Sequence, residues 1–407
     1  MQDKMRIGVL GGGFAGLYCA LHLSRKNGRA EICLFDKNNY FLYTPFLHEV
    51  ATGTVDSRHI AVPIRKIADP RRIQIRSEEV TRINLAEKEF ETGSGKFKFD
   101  RLVIAAGSEA NFYGIPGAQE NSLTFKSIYD AIRLRNSIID CLERAAIETN
   151  PAVKREMLTF NVAGAGCTGV ELVSEIAEFL SEIISREYPE IKSEEIRVNL
   201  IEAASNVLCS FPPYLSRVAA ERLRDMGVEL MIESPISSVN RDFIRLASGR
   251  RIPNGLLVWA AGIRARELGF DPQPEREPSG RIAINEFLEL PGFAGVSVIG
   301  DGALCIQEGK PLPATASVAV QQARYAAERT MNPGLKPFVF KNRGDMASLG
   351  FMFGVCDVYG WQFRKFIAWI IWKFFKLAMM PRYKNRFQIL SDWIIAWVFR
   401  RDTSRLT

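Results

Sequence analysis

The feature that most constrains this 407-residue chain is a short pattern, G-x-G-x-x-G, that occurs twice between an apolar strand and an apolar helix. The first copy, Gly11-Gly12-Gly13-Phe14-Ala15-Gly16, follows Ile7–Leu10 and leads into Leu17–Leu23, after which Ala30–Phe35 returns as a second apolar strand. The second, Gly164-Ala165-Gly166-Cys167-Thr168-Gly169, lies 153 positions on, between Leu158–Ala163 and Val170–Ile184, with Ile196–Ile201 as the returning strand. Both stretches predict a βαβ unit that binds a dinucleotide. The first glycine permits the tight turn, the second lets backbone N–H groups approach a pyrophosphate, and the third lets helix and strand pack closely. The helix N-terminus adds partial positive charge for the phosphates. Each returning strand ends on a carboxylate, Asp36 or Glu202, placed to accept hydrogen bonds from ribose hydroxyls. Glu202 favours NADH over NADPH, because a 2′-phosphate would meet like charge there.

Each half also has an apolar strand that stops on small residues, Arg101 to Ala105-Ala106-Gly107 in the first and Gly255 to Ala261-Gly262 in the second. A further strand, Gly295 to Asp301, precedes a Pro-containing loop and a helix expected from Ala314 to about Arg329. This order predicts an α/β chain of two Rossmann-like domains, the second inserted in the first. The expected division is 1–112 with 286–330, then 113–285, then a C-terminal region 331–407. Two dinucleotide sites imply a flavin and a nicotinamide, since a flavin accepts hydride and then releases electrons singly or in pairs. The seven cysteines are odd in number and without C-x-x-C spacing, which argues for reduced thiols; no metal site is expected. The start of the chain runs straight into a strand and predicts no secretion signal.

The formal charge of +7 is concentrated at one end. Residues 361–407 hold ten Lys or Arg against Asp392 and Asp402, a net of +8, so the remainder sums to about −1. Five of the six Trp fall in the same segment. From Phe363 to Met380 the longest uncharged run is Phe366–Trp372, far short of the ~20 residues needed to span a bilayer. At 100° per residue Phe363, Phe366, Ile367, Ile370, Ile371, Phe374, Leu377 and Ala378 share one face, with Arg364, Lys365, Lys373 and Lys376 opposite. The expectation is an interfacial helix on an anionic lipid surface, with Phe387–Phe399 as a second; a dimer interface is the competing use of the same face. The interleaved apolar face argues against nucleic acid.

On these motifs the chain resembles the two-dinucleotide-binding-domain flavoproteins, and more closely the type II NADH:quinone oxidoreductases. The resemblance runs through Asp36 to Leu47, Val50-Ala51-Thr52-Gly53, Pro63-Ile64-Arg65, Gly114-Ile115-Pro116-Gly117, Gly164 to Glu171 and Gly300-Asp301-Gly302-Ala303. It implies non-covalent FAD at Gly11, Gly13, Phe14, Ala15, Gly16, Asp36, Lys37, Thr44, Pro45, Val80, Ala105, Ala106, Gly107, Asp301, Val318 and Ala319. It implies NADH at Gly164, Gly166, Thr168, Gly169, Glu171, Glu202, Ala261 and Gly262, with Glu171 as a catalytic proton relay as well as a first-turn carboxylate favoured by the helix dipole. The family's quinone motif, A-Q-x-A-x-Q-Q-G, reads here as Ala316-Ser317-Val318-Ala319-Val320-Gln321-Gln322-Ala323, so Ser317, Gln321 and Gln322 are the quinone candidates and Ser317 is a shorter donor than the family's Gln.

The activity implied is non-pumping transfer of hydride from NADH to FAD and of two electrons to a membrane quinone, by a peripheral protein on the cytoplasmic face of the cell membrane. Two alternatives share these features: a sulfide:quinone oxidoreductase using Cys167, Cys305 or Cys356, and a membrane-attached NADH-binding sensor or scaffold. Cys167 follows a helix start, a place that can lower a thiol pKa, but a buried filler is the competing role.

Overall fold

The computed structural model describes residues 4–25 and 30–405, arranged as two compact units. The first comprises Met1–Leu42, Ala61–Glu109 and Ile263–Lys341; the second Tyr43–Ile60, Ala110–Gly262 and Asn342–Thr407. Ten strands form the two principal sheets: β1 Met5–Leu10, β2 Ala30–Phe35, β3 Ile73–Arg76, β4 Arg101–Ile104, β5 Leu123–Thr124, β6 Thr159–Ala163, β7 Arg197–Ile201, β8 Val228–Met231, β9 Leu256–Trp259 and β10 Val296–Val298.

In the first unit the order is β10-β4-β1-β2-β3, all parallel, with Ile7 opposite Ile32 and Val9 opposite Val103. In the second it is β5-β9-β6-β7-β8, again parallel. The two sheets match strand for strand from the fingerprint strand outward. Residues 7–10 and all of β6 are buried, so these strands read as continuous apolar runs rather than alternating ones. Helix α1, Phe14–Ser24, follows the first fingerprint and α2, Cys167–Glu187, the second. A third helix, α3, Ala316–Met331, begins two residues later than expected because Thr315 caps it, its Oγ1 accepting from Val318 N–H at 3.3 Å.

Three boundaries differ from those expected. Residues 263–285 belong to the first unit, since Gly269–Asp271 pairs in parallel with Val80–Asn84 and Phe270 enters that unit's core with Ile83 and Phe90. Residues 43–60 belong to the second unit. The C-terminal region is no separate body: from Asn342 on it is part of the second unit. There it forms a three-stranded antiparallel sheet, Met346–Ser348, Gly354–Val358 and Trp361–Arg364, followed by α4, Lys365–Met379, and α5, Tyr383–Phe399.

Helix α4 is amphipathic in an unusual sense. Phe366, Ile367, Ile370 and Phe374 are exposed, as the periodicity places them, while Ala368 and Trp372 are fully buried. Trp372 is therefore a core residue and not one of the interface-seeking tryptophans. The basic side is partly spent inside the unit: Lys373 pairs with Glu49 at 2.7 Å, and after α5 Arg401 meets Glu175, Glu178 and Glu182 and Arg405 meets Asp140. Among the described residues no helix is long and apolar enough to cross a membrane.

Candidate functional site

The two fingerprints fold into the same cradle. Gly11 has φ +102° and Gly164 φ +99°, a left-handed conformation that a side chain would strain. A Cβ at Gly16 would stand 1.9 Å from Gly11 O, and one at Gly169 1.8 Å from Gly164 O, so helix and turn can touch only without it. Gly13 and Gly166 have nothing within 4 Å of a built Cβ; these are the open sides, each at the N-cap of its helix, with no acidic residue in the first turn. The helix dipole and the N–H groups of the first turn suit each opening to an anion.

The strand-end carboxylates close both cradles in one way. Asp36 Oδ2 accepts from Gly12 N–H at 2.6 Å, and Glu202 Oε2 from Ala165 N–H at 2.5 Å. The other oxygens accept from Asn38 N–H and Ala204 N–H. A carboxylate has about four acceptor sites, so each retains capacity for a ribose hydroxyl. These residues fit two dinucleotides.

Within the first unit, Gly300 brings Asp301 against the start of α1: a Cβ on Gly300 would lie 2.9 Å from that of Ala15. Ser108, which sequence reasoning missed, donates to Asp301 Oδ2 at 2.7 Å. Ala105 N–H bonds Leu10 O, aligning the end of β4 beside the fingerprint, and Phe14 packs edge-on against Phe41. Lys37 is exposed and 3.7 Å from Glu79. Val80, Val318 and Ala319 are buried. Ala106 and Gly107 follow β4, with Gly107 at φ +75°. Thr44 and Pro45 open a short helical turn, Thr44–Phe46, that is counted with the second unit.

In the second unit Thr168 is exposed beside the opening, and Ala261 lies against Gly164, whose built Cβ would be 2.7 Å from Ala261 Cα. Tyr113, also missed, covers Gly262 so closely that a Cβ there would be 1.9 Å from its hydroxyl. Glu171 lies on the second turn of α2, not on the first as expected, and is buried; its Oε1 accepts from Trp372 Nε1–H at 2.8 Å and from Ser348 N–H at 3.3 Å. His48 Nδ1 stands 4.0 Å from Glu171 Oε2, and its Nε2 4.0 Å from Glu49 Oε1. Glu49 in turn holds Lys373 Nζ at 2.7 Å and Trp393 Nε1–H at 2.5 Å. Burial opposes ionisation of Glu175, but Arg401, His48 and Lys373 more than offset it and hold its carboxyl below the usual range. Glu178 is pushed up to about 7 by burial and by the charge of Glu175.

The pyridine nucleotide-disulphide oxidoreductase family model matches residues 5–323. A probable NADH dehydrogenase of Dictyostelium discoideum is 33% identical over 388 residues, 92% of this chain and 86% of that one. A type II NADH:quinone oxidoreductase of Mycobacterium tuberculosis is 32% identical, covering 98% of this chain and 89% of its own length. The chain belongs to the type II NADH:quinone oxidoreductases. In fold it matches the NDH2 of Plasmodium falciparum solved in complex with NADH, with a TM-score of 0.90 at 20% identity, covering 99% of this chain and 100% of that one.

Two of the quinone candidates of this type II oxidoreductase also have partners within the fold, both on α3. Gln322 is buried and structural, its Oε1 accepting from Gly300 N–H at 2.7 Å and its side chain also bonding the Cys305 thiol. Gln321 is engaged at both ends of its amide by the backbone of Lys341. Ser317 is exposed at the helix start. Both glutamine amides thus take part in the fold as well as carrying the polar groups expected to face a quinone. The low-pKa idea for Cys167 fails: burial and then the charge of Glu171 push its thiol up to about 12. The pair His48-Glu49, directly before the quoted Val50-Ala51-Thr52-Gly53, was the signal for the buried cluster that the sequence offered and motif reading passed over.

Proposed function

We infer that the chain oxidises NADH and reduces a membrane quinone, using FAD held in the first cradle and NADH bound exchangeably in the second. The observation that carries this reading is the duplicated cradle, each copy closed by its own carboxylate, in a chain of this family. FAD, when bound, supplies a carrier that takes hydride from a nicotinamide and returns electrons to a quinone. The N–H groups at Gly13 to Ala15 would hold its pyrophosphate, Asp36 its ribose, and Asp301, oriented by Ser108, the region beyond. Gly166 and Thr168 would take the NADH pyrophosphate. Glu202 would bind the ribose diol and repel a 2′-phosphate. Ser317, exposed at the helix start, would meet a quinone together with Gln321 and Gln322, whose amides keep further hydrogen-bonding capacity.

The exposed Phe366, Ile367, Ile370 and Phe374 of α4, with Phe387, Ile394 and Trp397 of α5, supply an apolar surface for docking to the membrane, on its cytoplasmic face. Because Lys373, Arg401 and Arg405 are paired internally, this docking rests more on apolar burial than the tail's net charge implies. A second copy of the chain is the competing occupant. The sulfide-oxidising alternative needs reactive thiols, and burial pushes Cys167 up to about 12 and Cys356 up to about 11. Anaerobic NADH should bleach the flavin absorbance of the holoprotein, and added quinone should restore it over many turnovers. Persistence of oxidised flavin in NADH, or a single turnover only, would overturn the assignment, the latter in favour of a sensor.

A further inference from the structure

Reduction of a quinone by NADH has a proton deficit. The C4–H bond of the nicotinamide breaks and its electron pair leaves with the hydrogen as hydride, while the quinone takes up two electrons and forms two O–H bonds. NADH and quinone therefore need one H⁺ from water to give NAD⁺ and quinol. Where that proton passes through buried protein it needs a path of titratable groups.

The second unit contains such a path. Glu171 and Glu49 flank His48, and each has one oxygen pinned by an indole N–H, from Trp372 and Trp393. Glu171 turns its other oxygen toward His48 Nδ1. Glu49 turns its own toward His48 Nε2 while holding Lys373. Both His48 separations are 4.0 Å, beyond hydrogen-bond length but within reach of a small ring rotation or a single water. His48 is 97% buried, and its Nε2 has no hydrogen-bond partner among the described residues. A buried imidazole nitrogen left unpartnered beside a carboxylate costs stability, which points to a use. The charged groups around it are Glu49 on the short helix Leu47–Ala51, Glu171 and Glu175 on α2, Lys373 on α4, and Arg401, which neutralises Glu175. Lys373 is the more exposed end, its side chain 13% accessible against 1% for Glu49.

We propose that His48 relays protons between Glu49 and Glu171, so that Lys373 and Glu49 form the inlet for the proton consumed at each turnover. An imidazole can accept on one nitrogen and release from the other, then restore itself by ring rotation or tautomer exchange. Glu171, on the helix opened by the second fingerprint, is where the proton is held ready. His48 and Glu49 act through Glu171 and are positioning residues. This inference rests on the function proposed above.

The test uses the holoenzyme and the variants His48→Gln and Glu49→Gln. Both should lower kcat about a hundredfold, the lower range for a lost acid–base group, leave KM for NADH unchanged, and raise the solvent deuterium isotope effect on kcat. Independently of turnover, the ¹⁵N-imidazole spectrum of wild-type protein contains three histidines, His22, His48 and His59, assignable by single replacements. His48 should show averaged Nδ1 and Nε2 signals from tautomer exchange, and Glu49→Gln should freeze one tautomer. A single fixed His48 tautomer that Glu49→Gln does not alter would overturn the relay, as would wild-type kcat and isotope effect in His48→Gln. Wild-type protein whose flavin NADH fails to bleach would instead overturn the underlying function.

Discussion

Replacing Lys373 by Met is the most demanding test of how the C-terminal helices are held. Glu49 has a side chain 1% exposed and Lys373 one 13% exposed, with 2.7 Å between the charged atoms. Removing the cation leaves a carboxylate buried with the Trp393 indole N–H as its main close partner. Breaking a buried pair in this way costs about 3–5 kcal/mol, whereas replacing both partners by apolar groups is often neutral. The ammonium also sits 4.0 Å from the Trp393 ring centroid, and that contact contributes about 0.5–2 kcal/mol more. For a unit of this size class each kcal/mol moves the midpoint by about 2–4 °C, so the two losses together should lower the second unit's transition in Lys373→Met by about 7–28 °C. The assay is calorimetry, with urea unfolding followed by tryptophan fluorescence as a check. Lys373→Met with Glu49→Leu should recover most of the loss. A single variant within about 1 kcal/mol of wild type, or a double variant as unstable as the two singles summed, would refute the idea that this pair is a desolvated clamp.

Three further outcomes are expected. Gly16→Ala should yield protein without flavin, since the added carbon meets Gly11 O at 1.9 Å, whereas Gly169→Ala should keep the flavin, read by absorbance, and lose its bleaching by NADH. Glu202→Ala should weaken NADH by about 10–100-fold, the worth of a charged hydrogen bond, and narrow the preference over NADPH, as measured by KM for both nucleotides. Glu178, pushed up to about 7 from 4.5, holds a proton in the folded state that the unfolded chain has already released; its stabilising contribution is complete below pH 4.5 and is lost as pH rises through 7. Glu178→Gln should therefore gain in urea midpoint relative to wild type between pH 5 and pH 8, and an unchanged difference would count against the buried, charge-crowded site.

Much of the first cradle and the second was legible in the sequence because their requirements are local. A turn that needs positive φ at Gly11 and Gly164, and a helix start that needs no Cβ at Gly16 and Gly169, can be met only by glycine at fixed spacing. Asp36 and Glu202 were readable for the same reason, since each sits where its strand ends and folds back on its own turn. The outward apolar face of α4 followed from helical periodicity alone.

What lay opposite that face did not. Trp372, Lys373 and Arg401 looked like groups seeking lipid because isolated helix periodicity has no knowledge of partners more than 200 positions away. Only the fold brings Glu171, Glu49 and Glu175 to them, and a buried carboxylate must find donors or cations wherever the chain supplies them. Gln321 and Gln322 likewise have partners that the motif does not show, the backbones of Lys341 and Gly300. The sequence by itself determined where two dinucleotides can lie, through backbone constraints carried by single glycines. The tertiary structure decided which charges are spent, because desolvation acts on the surroundings of a side chain and those are assembled from distant parts of the chain.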